Sequence, residues 1–460
     1  MRVNIIVSYV HRTLTHDVIQ PAQKQACFRY PFFSYFMAPL NQSKTFKDVT
    51  CPFCSLLCDD IVLNNQSGGL TIRQNGCPKA VRGFQRQDPH IQPTIHGKES
   101  TLDEAIAHAA EILGKARQPI ITGLGTDVSG SRAAMSLAEI TGAIVDHSHG
   151  DAAVKNIMVL QTSGWMLTTL SELKNRADMI IFIGTDGHSN YPRFYDRFVW
   201  QQDSLSGLKK NAREIVYIGN KLKTLKGISP DGKKPTFIKC TDESLGETVS
   251  VIRALLNGND ITSKSISNRK LSDLKKLSGR IKHASYPVFV WAAGELIPAH
   301  SELTIHSICE LVKELNKSSR AAGLSLAGSN GGVSFLNVCT WQSGYPLRVN
   351  YTAGYPHYDP YNYATTEVLG KTEADAMLWV SSFEADFIPP QTSIPTVVLS
   401  RPSIKNALDA EVYIPVGTPG LDHTGNLFRT DNAVNLPLKQ VRQTGYQSVS
   451  DILSRIQDRL

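Results

Sequence analysis

The sequence predicts an α/β protein, with parallel sheets covered by helices on both faces and a small β-rich, cysteine-bearing unit in front of them. Two observations carry this. From about residue 100, short apolar runs that end in glycine or small polar residues alternate with helical patterns, and strands that alternate with helices pair in parallel. Before residue 95 the pattern is different: brief strand-like runs flanked by four of the eight cysteines. A chain of 460 residues, 41% apolar and 19% charged, has core for roughly two to four domains.

Residues 1–46 read as an N-terminal extension. The apolar patch in "MRVNIIVSYVHRTLTHDVIQ" is broken by His11, Arg12, His16 and Asp17, and no small-residue cleavage site follows, so a secretory signal is not expected. Met37 is the expected natural start, with residues 1–36 otherwise a loosely held extension. Residues 47–95 form the cysteine-cluster unit, in which "DDIVLNN" and "GGLTIRQNG" make a hairpin through a Gly-Gly turn and the cysteines lie at its two ends. Residues 96–345 follow as an α/β domain. "STLDEAIAHAAEILGKA" opens with a capping Ser/Thr and repeats apolar residues at helical spacing (Leu102, Ala105, Ile106, Ala109, Leu113). "QPIITGLG" is a strand, "SRAAMSLAEITGA" a helix closed by Gly142, and "AIVD" the next strand. "RADMIIFIGTDG", "EIVYIGN" and "PTFIKCTD" repeat the strand-then-loop theme. A helix at about 244–256 and a polar Ser/Lys-rich break at 262–284 precede "YPVFVWAAG" and "GLSLAGSNGG". Residues 346–460 are a C-terminal α/β segment, with "ADAMLWVSSF" and "PTVVLS" as strands and a last helix that puts Ile452, Leu453, Ile456 and Leu460 on one face.

Composition narrows the function classes. No run of about 18 apolar residues implies a membrane span. The net charge of +7 suits an anionic ligand, but no dense Lys/Arg block with interleaved aromatics points to nucleic acid. No complete Gly-x-Gly-x-x-Gly follows a strand, which disfavours a nicotinamide-type enzyme. The scattered cysteines 240, 309 and 339 sit in apolar segments as buried thiols do, and with Cys27 they show no paired spacing, so a reducing, cytoplasmic compartment is expected.

The chemistry concentrates in "TCPFCSLLCDD" and "NGCPKA". Cys51, Cys54, Cys58 and Cys77 have the spacing Cys-x2-Cys-x3-Cys-x18-Cys. Four thiolates can wrap a 4Fe–4S cluster or a zinc ion, or persist as packing with no metal. Zinc more often uses two Cys-x2-Cys pairs, and the single second-half cysteine favours the cluster.

"VTCPFCSLLCDDI" and "NGCPKAVRGF" resemble the start of the B subunit of formylmethanofuran dehydrogenases, in the molybdopterin-dependent formate dehydrogenase superfamily. The likeness continues through "SELKNRADMIIFIGTDGHSNYPRFYDRF" (171–198), "AGSNGGVSFLNVCTWQSGYPLRVNYTAGYPHYDP" (327–360), "EADAMLWVSSF" (373–383) and "GNLFRTDNAVNLPLK" (425–439). It implies a molybdopterin-oxidoreductase-like fold and a 4Fe–4S cluster on Cys51, Cys54, Cys58 and Cys77. It also implies a cysteine or selenocysteine on tungsten or molybdenum, from a Cys-His-Gly segment. Here "AIVDHSHGDAAV" places Ser148 at that position, before His149 and Gly150. A serine hydroxyl is a harder and less acidic ligand than a thiolate. Thr185-Asp186-Gly187 stands where relatives carry Cys-Asn-Pro, and Ser381-Ser382-Phe383-Glu384-Ala385-Asp386 stands where they carry a short Asp-Pro-Gly type loop. Two carboxylates there would repel a diphosphate. The tungsten or molybdenum pterin is therefore expected to be absent.

His149 either assists proton transfer or is a leftover histidine bonded to backbone. Arg193 is expected to anchor a loop, "GSNGG" (328–332) to make a tight turn, and "GYPHYDPYNY" (354–363) to form a rigid loop or subunit contact. The resemblance is strongest to the B subunit of the methylotroph formyltransferase/hydrolase complex. It implies a non-redox scaffold subunit in tetrahydromethanopterin-linked one-carbon metabolism. The implied partners are an amidohydrolase-like hydrolase subunit, a formyltransferase subunit and a further small subunit, with a methanofuran-type carrier nearby. The alternative is an active formylmethanofuran dehydrogenase, or formate–CO2 oxidoreductase, catalytic subunit.

Overall fold

The computed structural model describes residues 44–66, 69–201, 204–209, 212–266, 269–384, 387–403, 405 and 410–460. The extension up to residue 43, with Met37 and Cys27, lies outside the described residues, as do Ala385 and Asp386.

Two sheets organise the chain. The first parallel strand of the larger one, Pro119–Gly125, is buried along its whole length, as a strand covered on both faces must be. It pairs in parallel with Ile144–Val145 on one side and Ala376–Ser381 on the other, and Thr396–Ser400 and Val412–Pro415 continue beyond. Short antiparallel strands at both edges complete nine. The chain thus leaves this sheet after residue 145 and returns at Val349–Asn350, so segments on either side of residue 345 share one sheet. The smaller sheet comes from the interval between. Met179–Ile183, Glu214–Gly219, Thr236–Lys239, Pro287–Trp291 and Ala322–Ser325 are all parallel. In each sheet the order reverses beside the first of the parallel strands, next to Pro119–Gly125 and next to Met179–Ile183. Such reversals open crevices at the carboxyl ends of strands.

Alternation along Met179–Ile183 explains the layers. Met179, Ile181 and Ile183 pack with the helices Leu245–Leu256, Leu271–His283 and Glu302–Leu315. Ile180 and Phe182 face the other way, into a core shared with Cys51, Cys54, Cys58, Leu63 and Phe84. The cysteine-bearing unit therefore has no separate core; it covers one face of the smaller sheet. Its hairpin forms as expected, Ile61–Gln66 against Gly69–Gln74, with Lys44–Val49 as a third strand.

The helix Leu102–Lys115 carries the expected cap: the Thr101 hydroxyl accepts from the Glu104 amide at 3.2 Å, and the Glu104 carboxylate accepts from the Thr101 amide at 2.9 Å. Gly142 closes the helix Val128–Thr141 in the left-handed conformation. One expectation needs correction. The polar break at 262–284 contains the helix Leu271–His283, because Leu271, Leu274, Leu277 and Ile281 form a buried stripe beneath its lysines and serines. In the tyrosine-rich loop, Tyr358 stacks on Tyr345 at 5.2 Å while Tyr355 and Tyr361 are exposed. Among the described residues no helix is long and apolar enough to cross a membrane.

Candidate functional site

The loop that bears three of the cysteines is closed by its own backbone. The Cys51 amide donates to the Cys58 carbonyl at 2.8 Å and the Leu57 amide to the Cys54 carbonyl at 3.1 Å, with Leu57 held at a positive φ. Cys77 arrives from the far end of the hairpin as the N-cap of the helix Pro78–Gln85, its sulfur 3.5 Å from the Ala80 amide. That helix lies so close to the loop that a Cβ on Gly83 would meet the Phe53 ring at 2.2 Å. Cys51, Cys54 and Cys58 are buried, Cys77 is half-buried, and each is a free thiol.

Burial pushes all three buried thiols up: Cys51 well above its ordinary value, Cys54 to about 12, and Cys58 upward by less. Cys58 is restrained because Arg197 and Arg193 face its sulfur. Arg193 is anchored as expected, bidentate on Asp60 at 2.6 and 2.7 Å, and Arg197 pairs with Asp59 at 2.7 Å. The charge of Lys79 acts on Cys54 in the same sense. Buried sulfurs ringed by cations are an environment for thiolates that carry a shared negative centre. Four thiolates on one zinc at 2.3 Å would sit about 3.8 Å apart. Among the described residues no three of these sulfurs lie within 4.8 Å of one another. Four cysteine sulfurs are a donor set that a polynuclear iron–sulfur centre takes.

Ser148 and His149 lie on the turn between Ile144–Val145 and the helix Gly150–Ser163. The Ser148 amide is tied to the Gly123 carbonyl at 3.1 Å, at the end of the neighbouring strand. The Ser148 hydroxyl lies 3.3 Å from His149 Nδ1. His149 keeps a solvent-accessible edge, while its ring lies parallel to Phe387 at 6.2 Å. Its pKa is lowered, chiefly by burial, with Glu384 raising it and Lys79 lowering it. Lys79 therefore acts on both the cysteine loop and this turn, and the fold sets the two candidate centres side by side.

The histidine bonded to backbone is the neighbouring one, which sequence reasoning passed over. His147 is fully enclosed; its Nδ1 accepts from the His149 amide at 3.0 Å, so Nε2 carries the proton and donates to the Asn330 carbonyl at 3.2 Å. Burial lowers its pKa to about 3. The only forewarning was its place two residues after a buried strand. Asp146, one residue earlier, is also enclosed, and accepts from Arg348 Nε at 3.2 Å and from the Thr365 amide and hydroxyl at 2.9 and 3.0 Å. Burial raises its carboxyl pKa and Arg348 opposes that shift.

The loops at 185–187 and 381–384 are held by hydrogen bonds of their own side chains. Asp186 accepts from the His188 and Ser189 amides at 2.8 and 2.7 Å. Ser382 donates to the Gly125 carbonyl at 2.8 Å, while Glu384 is exposed. "GSNGG" is a turn, with Gly328, Asn330 and Gly331 at positive φ. A Cβ on Gly331 would meet the Thr126 carbonyl oxygen at 2.1 Å. The turn feeds the helix Gly332–Ser343 and lines a cleft of about 510 Å³ together with His147, His149, Tyr191 and Glu295. Tyr191, which lines this cleft, is hydrogen-bonded to Ser55 of the cysteine loop, and Ser55 also donates to the Ala327 carbonyl.

No family model matches the chain. It is 25% identical over 431 residues to the B subunit of the tungsten-containing formylmethanofuran dehydrogenase 2 of Methanococcus maripaludis, covering 89% of this chain and 96% of that one. It is 27% identical over 377 residues to the B subunit of the formyltransferase/hydrolase complex Fhc of Methylorubrum extorquens, covering 80% and 97%. The chain is a homologue of these B subunits. Its fold matches a chain in the crystal structure of the formyltransferase/hydrolase complex (FhcABCD) of Methylorubrum extorquens with methylofuran, at a TM-score of 0.67 and 24% identity, over 80% of this chain and 98% of that chain. It also matches acetylene hydratase of Pelobacter acetylenicus at a TM-score of 0.62 and 11% identity, over 90% and 69%. The fold is of the α/β class the sequence predicted, with parallel strands at the centre of the large sheet, and it is shared with these two solved structures.

Proposed function

We propose that this chain is the non-redox B subunit of a formyltransferase/hydrolase complex in one-carbon metabolism, a scaffold that holds hydrolase and transferase subunits together. The observation that carries this reading is Ser148. A hydroxyl, hydrogen-bonded to its own neighbour His149, stands where redox-active relatives are expected to present a thiolate. The exposed carboxylate of Glu384 faces the same turn. Serine and glutamate are a poor donor set for a tungsten or molybdenum pterin and its diphosphate. No step of catalysis is assigned to that group.

Cys51, Cys54, Cys58 and Cys77 would hold a 4Fe–4S cluster. When bound, such a cluster stores one electron; in a scaffold its contribution is cohesion, tying the loop 51–58 to the helix Pro78–Gln85. Arg193 and Arg197 would balance its negative charge. The amidohydrolase-like and transferase partners and a methanofuran-type carrier belong to this reading, supported by the likeness to the Fhc B subunit. The cytoplasm is its compartment.

The second reading, an active formylmethanofuran dehydrogenase catalytic subunit, is favoured by the retained cysteines and by the cleft beside His149. The two are separated by assaying the anoxically purified complex for formyl transfer and hydrolysis alongside dye-linked formate oxidation. The scaffold reading expects the first pair of activities without the last. Dye reduction that co-purifies with this chain would establish the second.

A further inference from the structure

We propose that His96, His108 and Glu411 form a binding site for a divalent transition-metal ion of the zinc class. The site lies at the edge of the nine-stranded sheet, at the opposite end of the strand order from the Ser148 turn. Three separate elements converge on it. His96 occupies the tight turn between Thr94–Ile95 and Lys98–Glu99, Glu411 immediately precedes Val412–Pro415, and His108 projects from the helix Leu102–Lys115. Pairing of Thr94–Ile95 with Val412–Tyr413 fixes the first two against each other, and the His96 amide donates to the Glu411 carbonyl at 2.7 Å.

One ligand atom from each side chain lies within 4.8 Å of the other two. Glu411 Oε1 is 3.4 Å from His108 Nε2 and 3.9 Å from His96 Nε2, and the two rings are 5.5 Å apart. Small side-chain rotations bring such atoms to the separations of a tetrahedral shell with bonds near 2.1 Å. Two further observations point to a ligand. First, His108 Nε2 is buried and makes no hydrogen bond, although Glu411 lies beside it. A buried polar atom without a partner is uncommon and calls for an explanation. Second, His108 Nδ1 faces Glu111 Oε2 at 3.5 Å. Imidazoles that bind a metal through one nitrogen commonly direct the other N–H to a carboxylate, which leaves the free lone pair aimed at the ion. In addition, His96 holds φ at +49°, a region non-glycine residues rarely adopt, and this turn presents its ring to the cluster. Two imidazoles and a carboxylate suit zinc, and the exposed His96 side leaves room for water as the remaining ligand. A bound ion would clip the edge hairpin and the helix to the sheet. The rival arrangement is metal-free, with the two histidines simply paired to Glu411 and Glu111.

The test uses the full chain as purified, with its cysteine site loaded and loosely bound metal removed by dialysis, titrated with Co2+ and then Zn2+. The expected result is one bound equivalent with visible d–d absorption and no sulfur-to-cobalt charge transfer, displaced by Zn2+. Zinc at about 100 times Kd should raise the melting temperature by ~3 °C. His108→Gln, His96→Gln and Glu411→Gln should each abolish that equivalent, and Glu111→Gln should weaken it about tenfold. If His108→Gln does not fold, the exposed His96→Gln carries the same comparison. Binding unchanged by these substitutions, binding that shows thiolate charge transfer, or no binding below about 1 mM would overturn the site.

Discussion

The cysteine loop and the turn at residues 146–150 both feel the charge of Lys79, yet they differ in what they present. In the loop, four sulfurs remain, three of them buried in the shared core, with arginines placed against Cys58. In the turn, the enclosing residues are all present: Asp146 is held by Arg348 and Thr365, and His147 is satisfied on both ring nitrogens. The residue they present is nevertheless a hydroxyl, bonded to its neighbour. A metal-binding loop supplies core as well as ligands, so losing it would cost the fold. A single first ligand on a well-packed turn can change at almost no cost in stability. On the proposed function, the contrast shows how a first ligand could be exchanged while the architecture around it stays.

Four substitutions test that contrast. The largest effect is expected in the cysteine loop. Cys58→Ala should remove iron and acid-labile sulfide by tenfold or more and bleach visible absorption, because three thiolates do not complete a four-ligand cluster. Full iron content in the variant would separate the loop from any cluster. Next is the support of the turn. Arg348→Met leaves the buried Asp146 carboxylate without its cation, and should cost about 3–5 kcal/mol in denaturant unfolding; a loss under about 1 kcal/mol would mean that Thr365 alone satisfies Asp146.

A smaller effect follows from His147. Its pKa in the fold, about 3, lies below the ordinary 6.5, so the unfolded chain takes up the proton first. Stability is full above pH 6.5 and falls as the pH drops toward 3, by about 2 kcal/mol at pH 5 from this residue. His147→Gln should flatten that part of the pH–stability curve, and an unchanged slope would show that His147 is not held neutral. The smallest effect is expected at Ser148. Ser148→Cys should change stability by less than about 0.5 kcal/mol and confer no dye-linked formate oxidation. Activity gained from this one atom would mean that the neighbouring loops still accept the pterin.

The repeating strands and capped helices were legible because each is written locally. Thr101 and Glu104 cap one helix and Gly142 ends another, within a few residues of sequence. The helix Leu271–His283 was missed because its lysines and serines outnumber the four apolar residues that decide its packing. Sheet membership was not legible at all. Nothing local in Ala376–Ser381 says that its partner is Pro119–Gly125, more than two hundred residues earlier. At the site, the cysteine spacing and Ser148 could be read from motifs. His147, and the approach of Arg193 and Arg197 to Cys58, could not, since burial and long-range contact create their roles. The trio His96, His108 and Glu411 was invisible for the same reason: its members are brought together only by an antiparallel edge strand and one helix face.

Elemental analysis of the anoxically purified complex bears most directly on the claim that this frame has outlived its redox metal. Tungsten and molybdenum should each fall below about a tenth of an atom per chain, while iron approaches the four atoms of one 4Fe–4S cluster. Either heavy metal at near-stoichiometric amounts would contradict it.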